Sequence, residues 1–376
     1  MDDARYLTSA IAGDLDEHKM VFIGGPRQVG KTTLAISFLK PPGADNPAYI
    51  NWDAVKNRPS LLRGELPDGP LLVFDEIHKF ARWRNLLKGF YDTEKARRQF
   101  LVTGSARLDH YRKGGDSLQG RYHYYRLHPF TLSELGGGKK GLYQLLKFGG
   151  FPEPLFRGEE RFWRRWQAER LERVVYEDLR DLEHVREISL IELLLSALPE
   201  RVGSPLSVKS LRELLAVAHE SVERWIVILE NLYVCFRIPP FGSARIRAVK
   251  KEQKLYFWDW SQAPEGGARF ENLVASHLLK YCHFQRDTEG FRMELRFVRD
   301  TDKREIDFVV LKDGRPQFAV ECKSGDRALS PAISYFRART PIPRFYQVHL
   351  GQRIDGAPEQ GRILPFEQFC RELNLV

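Results

Sequence analysis

The sequence predicts an α/β protein that contains more than one domain. With 376 residues, the chain is longer than a single ordinary hydrophobic core requires. From residue 20 to residue 130, apolar runs alternate with helical patterns, a rhythm that is typical of a parallel α/β domain. The runs are Met20–Ile23, Pro47–Trp52, Leu71–Glu76 and Phe100–Ser105. Farther along, residues 304–325 predict two more apolar strands around an Asp-Gly turn.

Composition and charge narrow the class of protein. The chain is 43% hydrophobic and 29% charged, and its formal net charge of +9 suits a polyanionic partner such as nucleic acid. Its 4 cysteines are scattered singly, which argues against a disulfide framework. The N-terminus has no secretory pattern and no apolar run reaches the length of a membrane span, so we expect a cytoplasmic protein with no membrane partner.

A phosphate-binding loop is predicted after the first apolar run. The segment GGPRQVGKTTLA contains the pattern GxxxxGKT between a strand and a helix. The glycines let backbone N–H groups curl around a phosphate, the lysine reaches the β and γ oxygens, and the first threonine holds Mg²⁺. The predicted ATP-binding residues are Gly25, Pro26, Arg27, Gln28, Val29, Gly30, Lys31, Thr32 and Thr33.

A second part of the same site is predicted in the run LLVFDE. Asp75 ends this strand and can hold the metal ion together with Thr32, while Glu76 can polarise the attacking water. A metal ligand next to a water-activating base predicts ATP hydrolysis. The alternative is that the two acids only cap the following helix, which leaves their pairing with GKT unexplained.

The next strand ends in Thr103-Gly104-Ser105. A polar side chain at this strand tip could touch the γ-phosphate or the attacking water. The alternative is that Ser105 caps the following helix.

A helix-turn-helix followed by a strand is predicted from residue 207 to residue 241. The apolar residues have helical spacing on both sides of a turn near His219. The second helix carries mostly acidic charges, which suit a DNA groove poorly. Residues 237–254 hold six Lys or Arg against one acidic residue, so we expect any DNA contact there, for positioning and not for sequence readout. The alternative is a packed spacer.

Ionisable residues interrupt the apolar strands of residues 304–325. Glu321 and Lys323 are two positions apart and share one face of their strand. With Asp307 on the same face, they predict a site for Mg²⁺ or Mn²⁺ in which Lys323 activates a bound water against a phosphodiester. The alternative is a silent site or a surface ion pair between Lys323 and Glu321.

The position of Asp307 depends on the turn between the two strands. A two-residue turn sets Asp307 opposite Val320, on the wrong face. A three-residue loop over residues 312–314 sets it opposite Ala319, and Glu321 is then its diagonal neighbour. We therefore expect the three-residue loop.

The order of these segments resembles one family of AAA-type ATPases from bacteria and archaea. Its members carry a C-terminal domain of unknown function, usually a winged helix plus a nuclease-like fold. The matching stretches are GPRQVGKTTLA, LLVFDEIHKFARWRNLLKGFYD, FLVTGSARL, the segment from Ser117 to Leu135, GGFPEP, KLYFWD and FENLVASHLL. The resemblance spans nearly the whole chain.

The resemblance implies roles for further residues. It makes Ser105 the sensor at the strand tip, and Arg121 an arginine finger that acts on the ATP of a neighbouring subunit, which requires a homo-oligomer such as a ring. The alternative for Arg121 is a salt bridge to Asp116 or to the lid. The spacing of Asp307 and the Glu-Cys-Lys triplet is similar to the core of PD-(D/E)XK nucleases, in which Glu271 would supply the first acidic metal ligand.

Taken together, these observations predict four segments. They are a P-loop AAA-type ATPase core (1–135), a helical lid (136–190), a winged helix-turn-helix (191–262) and an α/β restriction-endonuclease-like domain (263–376). The first interpretation is an ATP-hydrolysing DNA-processing protein with a metal-dependent nuclease domain. The alternatives are an ATP-dependent motor that remodels branched DNA, and an ATP-controlled switch or scaffold whose nuclease fold binds without cutting.

Overall fold

A computed structural model of the protein describes residues 5–104, 118–173, 188–242, 253–357 and 360–376. The chain divides into two compact units, Met1–His128 and Pro129–Val376. Within the described ranges, no helix has both the length and the apolar character needed to cross a membrane.

The first unit is built on a five-stranded parallel sheet with the order β2-β3-β4-β1-β5. Its strands are β1 (Met20–Gly24), β2 (Tyr49–Asn51), β3 (Leu71–Asp75), β4 (Gln99–Thr103) and β5 (Tyr122–Arg126). Its helices are α1 (Thr8–Asp16), α2 (Lys31–Ser37), α3 (Arg58–Leu62) and α4 (Trp83–Glu94). Strands β1 and β3 are buried along their whole length, as their continuous apolar runs predict for a covered parallel sheet.

The strand order places three functional segments at one edge of this sheet. Strand β4 lies between β1 and β3, and Thr103 is in register with both Ile23 and Asp75. Because parallel strands present their carboxyl ends at the same edge, the loop after β1 and the tips of β4 and β3 lie side by side. This edge holds the first candidate site.

The second unit begins with helices and continues with two sheets. Its helices are α5 (Gly138–Phe148), α6 (Pro152–Arg157), α7 (Glu160–Arg173), α8 (Ile188–Ala197), α9 (Val208–Leu215), α10 (His219–Asn231), α11 (Gly267–Glu289), α12 (Pro331–Arg337) and α13 (Phe366–Glu372). A short turn of three residues joins α9 to α10. An antiparallel pair of strands follows, β6 (Cys235–Ile238) and β7 (Lys254–Phe257).

The second sheet of this unit is mixed, with the order β12-β11-β10-β9-β8. Its strands are β8 (Met293–Arg299), β9 (Glu305–Lys312), β10 (Arg315–Lys323), β11 (Phe345–His349) and β12 (Arg362–Pro365). Strands β8 to β10 run antiparallel, whereas β11 and β12 continue parallel to β10. Helix α11 packs on this sheet, and a cluster that includes Ile306, Val309 and Phe345 forms the apolar core beside it.

Candidate functional site

The loop after β1 has the backbone that its glycines predict. Gly25 has a φ of +136°, and a Cβ there would lie 2.4 Å from the carbonyl oxygen of Leu127. Gly30 has a φ of 98° and precedes α2, which begins at Lys31. A larger residue would be strained at either position, so the glycines fix a tight loop that ends at a helix N-terminus.

The predicted ATP-binding residues all lie on this loop and on the first turn of α2. Pro26 and Val29 are buried, Arg27 and Gln28 are partly exposed, and Thr33 is exposed on the helix. The side chain of Lys31 folds back over the loop, where its ammonium donates to the carbonyl oxygens of Gly25 (3.1 Å) and Pro26 (2.6 Å). The loop thus keeps a cation above its own backbone, at the place where the pattern predicts a phosphate.

Asp75 is the centre of a hydrogen-bond network that joins three strands and a helix. Its Oδ2 accepts from Thr32 Oγ1 at 2.9 Å and from the Tyr49 hydroxyl at 2.8 Å. Its Oδ1 accepts from the hydroxyl of Thr103. Burial and the Asp75 carboxylate raise the pKa of Tyr49 above its usual range, so Tyr49 stays a donor. The sequence predicted Asp75 and Thr32 here and a polar strand tip at Thr103-Gly104-Ser105, but it missed Tyr49 and the bond between Thr103 and Asp75.

Glu76 follows Asp75 in a left-handed backbone conformation, with a φ of 56°. This conformation costs a non-glycine residue about 1–2 kcal/mol, so its presence at a strand end favours a functional role. Its carboxylate lies 3.3 Å from the ammonium of Lys79, and its backbone N–H donates to the carbonyl of Thr103. The short helix that follows has no side-chain cap, so the alternative that these acids only cap a helix is wrong.

The donor set at this edge fits a magnesium ion. Thr32 contributes a hydroxyl and Asp75 a carboxylate, and hard divalent cations prefer such oxygen ligands. The predicted sensor Ser105 lies outside the described residues.

Arg121 lies far from the loop that carries Lys31. It directly precedes β5, and Tyr122 pairs with Met20 at the opposite end of β1 from Gly24. Since β1 rises about 3.3 Å per residue, Arg121 is about 16 Å from the phosphate-binding edge. Its guanidinium binds Asp92 of α4 at 2.9 Å. The alternative partner Asp116 lies outside the described residues. Arg121 cannot serve the ATP of its own subunit.

In the second unit, the predicted three-residue loop between β9 and β10 is wrong. Lys312 pairs with Arg315 across a two-residue turn, whose Asp313 and Gly314 both have positive φ. An irregularity between Pro316 and Phe318 then adds one residue to β10 and shifts the register, so that Val320 pairs with Phe308. Continuing this register sets Asp307 directly opposite Glu321. The two carboxylates therefore do share a face.

We call the charged side chains around Asp307 the acid cluster, which consists of Glu271, Glu305, Asp307, Glu321, Lys254 and Lys323. Glu321 binds Lys323 at 2.5 Å, and the second oxygen of Asp307 accepts the backbone N–H of Cys322 at 2.9 Å. Glu271 on α11 accepts from the Tyr256 hydroxyl at 2.7 Å. The structure thus brings the four predicted residues together.

The sequence missed the residue at the centre of this cluster, Lys254. Its ammonium lies 3.2 Å from Glu271, 2.5 Å from Glu305 and 3.1 Å from Asp307, and its side chain is fully buried. Burial alone would lower the pKa of Lys254, but these carboxylates outweigh burial and raise it, so the side chain stays charged. Its one sequence signal was its place at the head of the apolar strand KLYFWD.

The carboxylates of the cluster repel one another. Burial raises the pKa of Glu271 to about 7, with a further contribution from Asp307, while Lys254 and Tyr256 oppose the shift. Burial likewise raises the pKa of Glu321 to about 7, with Asp307 adding and Lys323 opposing. The ionised form of both groups is therefore less favoured in this cluster than in water.

This arrangement does not fit a divalent metal ion. A cation already lies among these acids, because the ammonium of Lys254 is 3.1 Å from Asp307 and 3.2 Å from Glu271, and a divalent ion bound there would be repelled by its charge. In the parts of the chain that the structure describes, no group of three or more His, Cys, Asp or Glu side chains is placed to hold a metal.

The basic stretch predicted to contact DNA is partly neutralised. At its start, Arg237 donates to Glu223 and Glu230 of α10, with distances of 2.9–3.0 Å. At its end, Lys254 is buried in the acid cluster. The intervening residues 243–252 lie outside the described ranges. Neither terminal cation of the stretch is therefore available to DNA. Two of the acids that make α10 a poor match for a DNA groove, Glu223 and Glu230, bind Arg237 instead.

Three family models match consecutive parts of the chain. Residues 17–136 match an AAA domain. Residues 139–263 match a domain of unknown function (DUF8612), and residues 266–369 match a second one (DUF4143). The chain therefore carries an AAA-type ATPase domain, for which ATP and Mg²⁺ are the implied ligands, followed by two domains whose function the models do not specify. The finer division into a lid and a winged helix stays a prediction.

Two archaeal proteins are similar in sequence to this chain over most of their length. The uncharacterized protein MJ1544 of Methanocaldococcus jannaschii is 23% identical over 350 residues, which cover 83% of this chain and 76% of that protein. The uncharacterized protein MJ1637 of the same organism is 24% identical over 381 residues, with 83% and 77% covered.

Two solved structures show weak overall similarity. A mutant RuvB of Thermotoga maritima has a TM-score of 0.32 and 16% identity, covering 62% of this chain and 87% of that chain. The Aeropyrum pernix ORC1 protein in complex with DNA also has a TM-score of 0.32, with 15% identity and coverage of 73% and 94%. At these scores, the likeness carries no argument about function.

Proposed function

We propose that the protein is an ATP-controlled switch, in which the first unit hydrolyses ATP and the second unit binds DNA without cutting it. The observation that carries the ATPase part is the 2.9 Å hydrogen bond between Thr32 and Asp75. This bond joins Thr32 at the glycine loop to Asp75 at the end of β3, the two parts of the predicted site, which lie far apart in the sequence. The match of residues 17–136 to an AAA domain supports the same activity.

The residues at the sheet edge have distinct tasks in this proposal. Lys31 and the loop N–H groups bind the phosphates, and Thr32 and Asp75 would hold Mg²⁺, which when bound offsets the charge of the γ-phosphate. Glu76 orients the attacking water and accepts its proton. Tyr49 and Thr103 keep the carboxylate of Asp75 in place.

Two substitutions test the ATPase assignment. Lys31→Ala should lose both ATP binding and hydrolysis, whereas Glu76→Gln should keep ATP binding and lose hydrolysis about 10²–10⁴-fold, as expected when a general base is removed. Binding is measured with a fluorescent ATP analogue, and hydrolysis by phosphate release. Glu65→Gln is the matched control, because Glu65 is exposed and pairs with Arg63. Full hydrolysis by Glu76→Gln would reject the assigned base.

The assignment of DNA as the partner rests on charge and topology. The chain has a net charge of +9, and four basic residues lie within 243–252, namely Arg245, Arg247, Lys250 and Lys251. Helices α9 and α10 followed by the β6–β7 pair have the order of a winged helix. The proposal assigns the predicted restriction-endonuclease-like domain to the mixed sheet and to α11, which packs on it. These features support binding through the second unit.

Binding without cleavage is favoured by one observation, the ammonium of Lys254 among the acids of the nuclease-like sheet. The first interpretation from the sequence, metal-dependent cleavage by Asp307, Glu321 and Lys323, requires a metal ion bound to Asp307, a carboxylate that this ammonium already contacts. The third interpretation, remodelling of branched DNA, shares the same binding surface and differs in the dependence of ATP hydrolysis on DNA shape.

A panel of labelled single-stranded, duplex, flap and four-way DNAs separates the three interpretations. We expect affinity that weakens with salt and no cleavage product with Mg²⁺ or Mn²⁺, with or without ATP. A product that is abolished by Lys323→Ala would establish the nuclease instead. A higher ATPase rate with branched DNA than with linear DNA would favour remodelling.

A further inference from the structure

The three N–H groups of the Lys254 ammonium match the carboxylates that surround it. An ammonium has three donors and no acceptor, and Lys254 meets one oxygen each from Glu271, Glu305 and Asp307. The side chain is fully buried, and the ring of Phe297 lies 5.7 Å from the nitrogen. All three N–H donors of the Lys254 ammonium are therefore matched by carboxylates of the cluster, which surround the cation.

Glu271, which the nuclease resemblance makes a metal ligand, is also covered by backbone. Gly203 lies so close that a Cβ there would be 2.9 Å and 3.0 Å from the two carboxylate oxygens. The same segment pairs with β7, where Val202 bridges to Leu255 and Pro205 to Lys254. The approach to Glu271 from this side is closed by the chain itself.

The contacts of Lys254 also join separate parts of the second unit. Lys254 begins β7, Glu271 lies on α11, and Asp307 lies on β9. Beside this junction, the N–H of Phe241 donates to the carbonyl of Phe297 on β8, which also ties the β6–β7 pair to the mixed sheet. The acid cluster thus connects the two-stranded β6–β7 sheet to the mixed sheet.

We propose that Lys254 is the resident cation of the acid cluster and that it takes the place of a divalent metal ion. The carboxylates that would bind a metal in a nuclease serve here as a junction between β7, α11 and β9. This inference deepens the non-cutting part of the proposed function and does not depend on ATP hydrolysis.

Manganese binding to the full-length, nucleotide-free protein tests the inference, with free Mn²⁺ followed by electron paramagnetic resonance. We expect the wild type and Asp307→Asn to bind Mn²⁺ equally, because Asp307 is occupied by Lys254. Lys254→Met should gain one Mn²⁺ per chain, and the double variant Lys254→Met, Asp307→Asn should lose it again. Any site at the ATP loop is common to all four proteins and cancels in the comparison.

Binding of Mn²⁺ to the wild type that Asp307→Asn removes would overturn the inference. If Lys254→Met does not fold, the comparison of wild type with Asp307→Asn still decides it, and Glu321→Gln repeats that comparison at a second carboxylate. Any change in melting temperature between EDTA and Mn²⁺ should likewise be the same in the wild type and in Asp307→Asn, and an Asp307-dependent rise with Mn²⁺ would count against Lys254. DNA cleavage would reject the proposed function, whereas Asp307-dependent Mn²⁺ binding without cleavage would reject this inference alone.

Discussion

Asp75 shows how much of the first site depends on single side chains. Three hydroxyl groups, from Thr32, Tyr49 and Thr103, converge on one carboxylate. Hydrogen bonds to a charged group are among the stronger ones in proteins, because the charge strengthens each bond. The carboxylate is therefore fixed before any ligand binds, which reduces the reorganisation needed when ATP and Mg²⁺ arrive.

Tyr49 is predicted to be a positioning residue for ATP hydrolysis. Tyr49→Phe removes the 2.8 Å hydrogen bond to Asp75 and leaves the ring in place. We expect kcat to fall about tenfold and the Mg²⁺ concentration at half-maximal rate to rise, because Asp75 is less well oriented. The measurement is a Mg²⁺ titration of the ATPase rate at saturating ATP.

The matched control is Tyr91→Phe. The Tyr91 hydroxyl donates to the carbonyl of His18 at 2.9 Å, at a distance from the phosphate-binding edge. Tyr91→Phe should leave the Mg²⁺ titration unchanged. If both variants lose activity without a shift in the Mg²⁺ dependence, Tyr49 acts only on stability.

Some residues of the sites were predictable from the sequence because local patterns specify them. Lys31 follows a glycine loop, and Asp75 ends an apolar strand. Lys254 was not predictable, since it lies 17 residues before Glu271 and 53 before Asp307, and its contacts form only when β7 meets α11 and β9. Thr103 and Tyr49 depend in the same way on strand order, which one sequence does not specify.

At the scale of elements, the β9–β10 hairpin shows that the sequence prediction placed Asp307 on the correct face for the wrong reason, since it assumed a three-residue loop. The pair Asp313-Gly314 is typical of a two-residue turn with two positive φ values, and such a turn forms. Only the irregularity after Pro316 then moves Asp307 onto the face of Glu321. Pro316 is a local signal for this bulge, because proline cannot donate to the ladder of a central strand and occurs there mainly at bulges, but the prediction of the register did not use it.

Helix α11 contains a buried histidine that makes stability depend on pH. The N–H at Nδ1 of His277 donates to the carbonyl of Leu273 (2.8 Å), and Nε2 accepts the N–H of Leu132 (3.1 Å), which requires a neutral ring. Burial lowers the pKa of His277 to about 3. The unfolded chain binds a proton below pH 6.5 and the folded chain does not, so stability present above that pH is lost as the pH falls.

The expected contribution of His277 is a loss of about 1.4 kcal/mol per pH unit between pH 6 and pH 4. His277→Gln should show a shallower fall of the urea midpoint over this range, whatever its stability at pH 7. His219→Gln, at the exposed start of α10, should follow the wild type. Parallel curves for His277→Gln and wild type would show that other groups determine the acid sensitivity.

At the scale of the whole molecule, the net charge overstates the cations available to DNA. Of the six basic residues in 237–254, Arg237 is paired with two glutamates and Lys254 is enclosed by three carboxylates. Sequence counting assigns both to a basic surface, because it cannot see partners on other elements. In the proposed function, the DNA contact therefore falls to the basic residues between them, where positioning on the phosphate backbone needs no base readout.

If Arg121 is the arginine finger that the resemblance implies, its position requires that hydrolysis involve more than one subunit. Arg121 is at the end of the sheet opposite its own ATP loop, and Asp92 holds it with the two side chains 31% and 40% exposed. An arginine finger supplied by a neighbour is worth about 10³–10⁵ in rate. Arg121→Ala should therefore lose hydrolysis, whereas Asp92→Ala, which only releases the arginine, should keep it.

Mixing two inactive proteins tests this arrangement directly. Glu76→Gln lacks the base but keeps Arg121, and Arg121→Ala keeps the base but lacks the finger. If the finger acts across a head-to-tail interface, an equimolar mixture contains about one quarter of interfaces with both groups intact, so about a quarter of the wild-type rate should return. Phosphate release is measured after subunit exchange, which light scattering and labelled subunits verify. The arginine-finger role would be rejected if the subunits exchange without recovery of activity and if Asp92→Ala and Arg121→Ala lose equal activity. Arg121 would then only form a surface ion pair with Asp92.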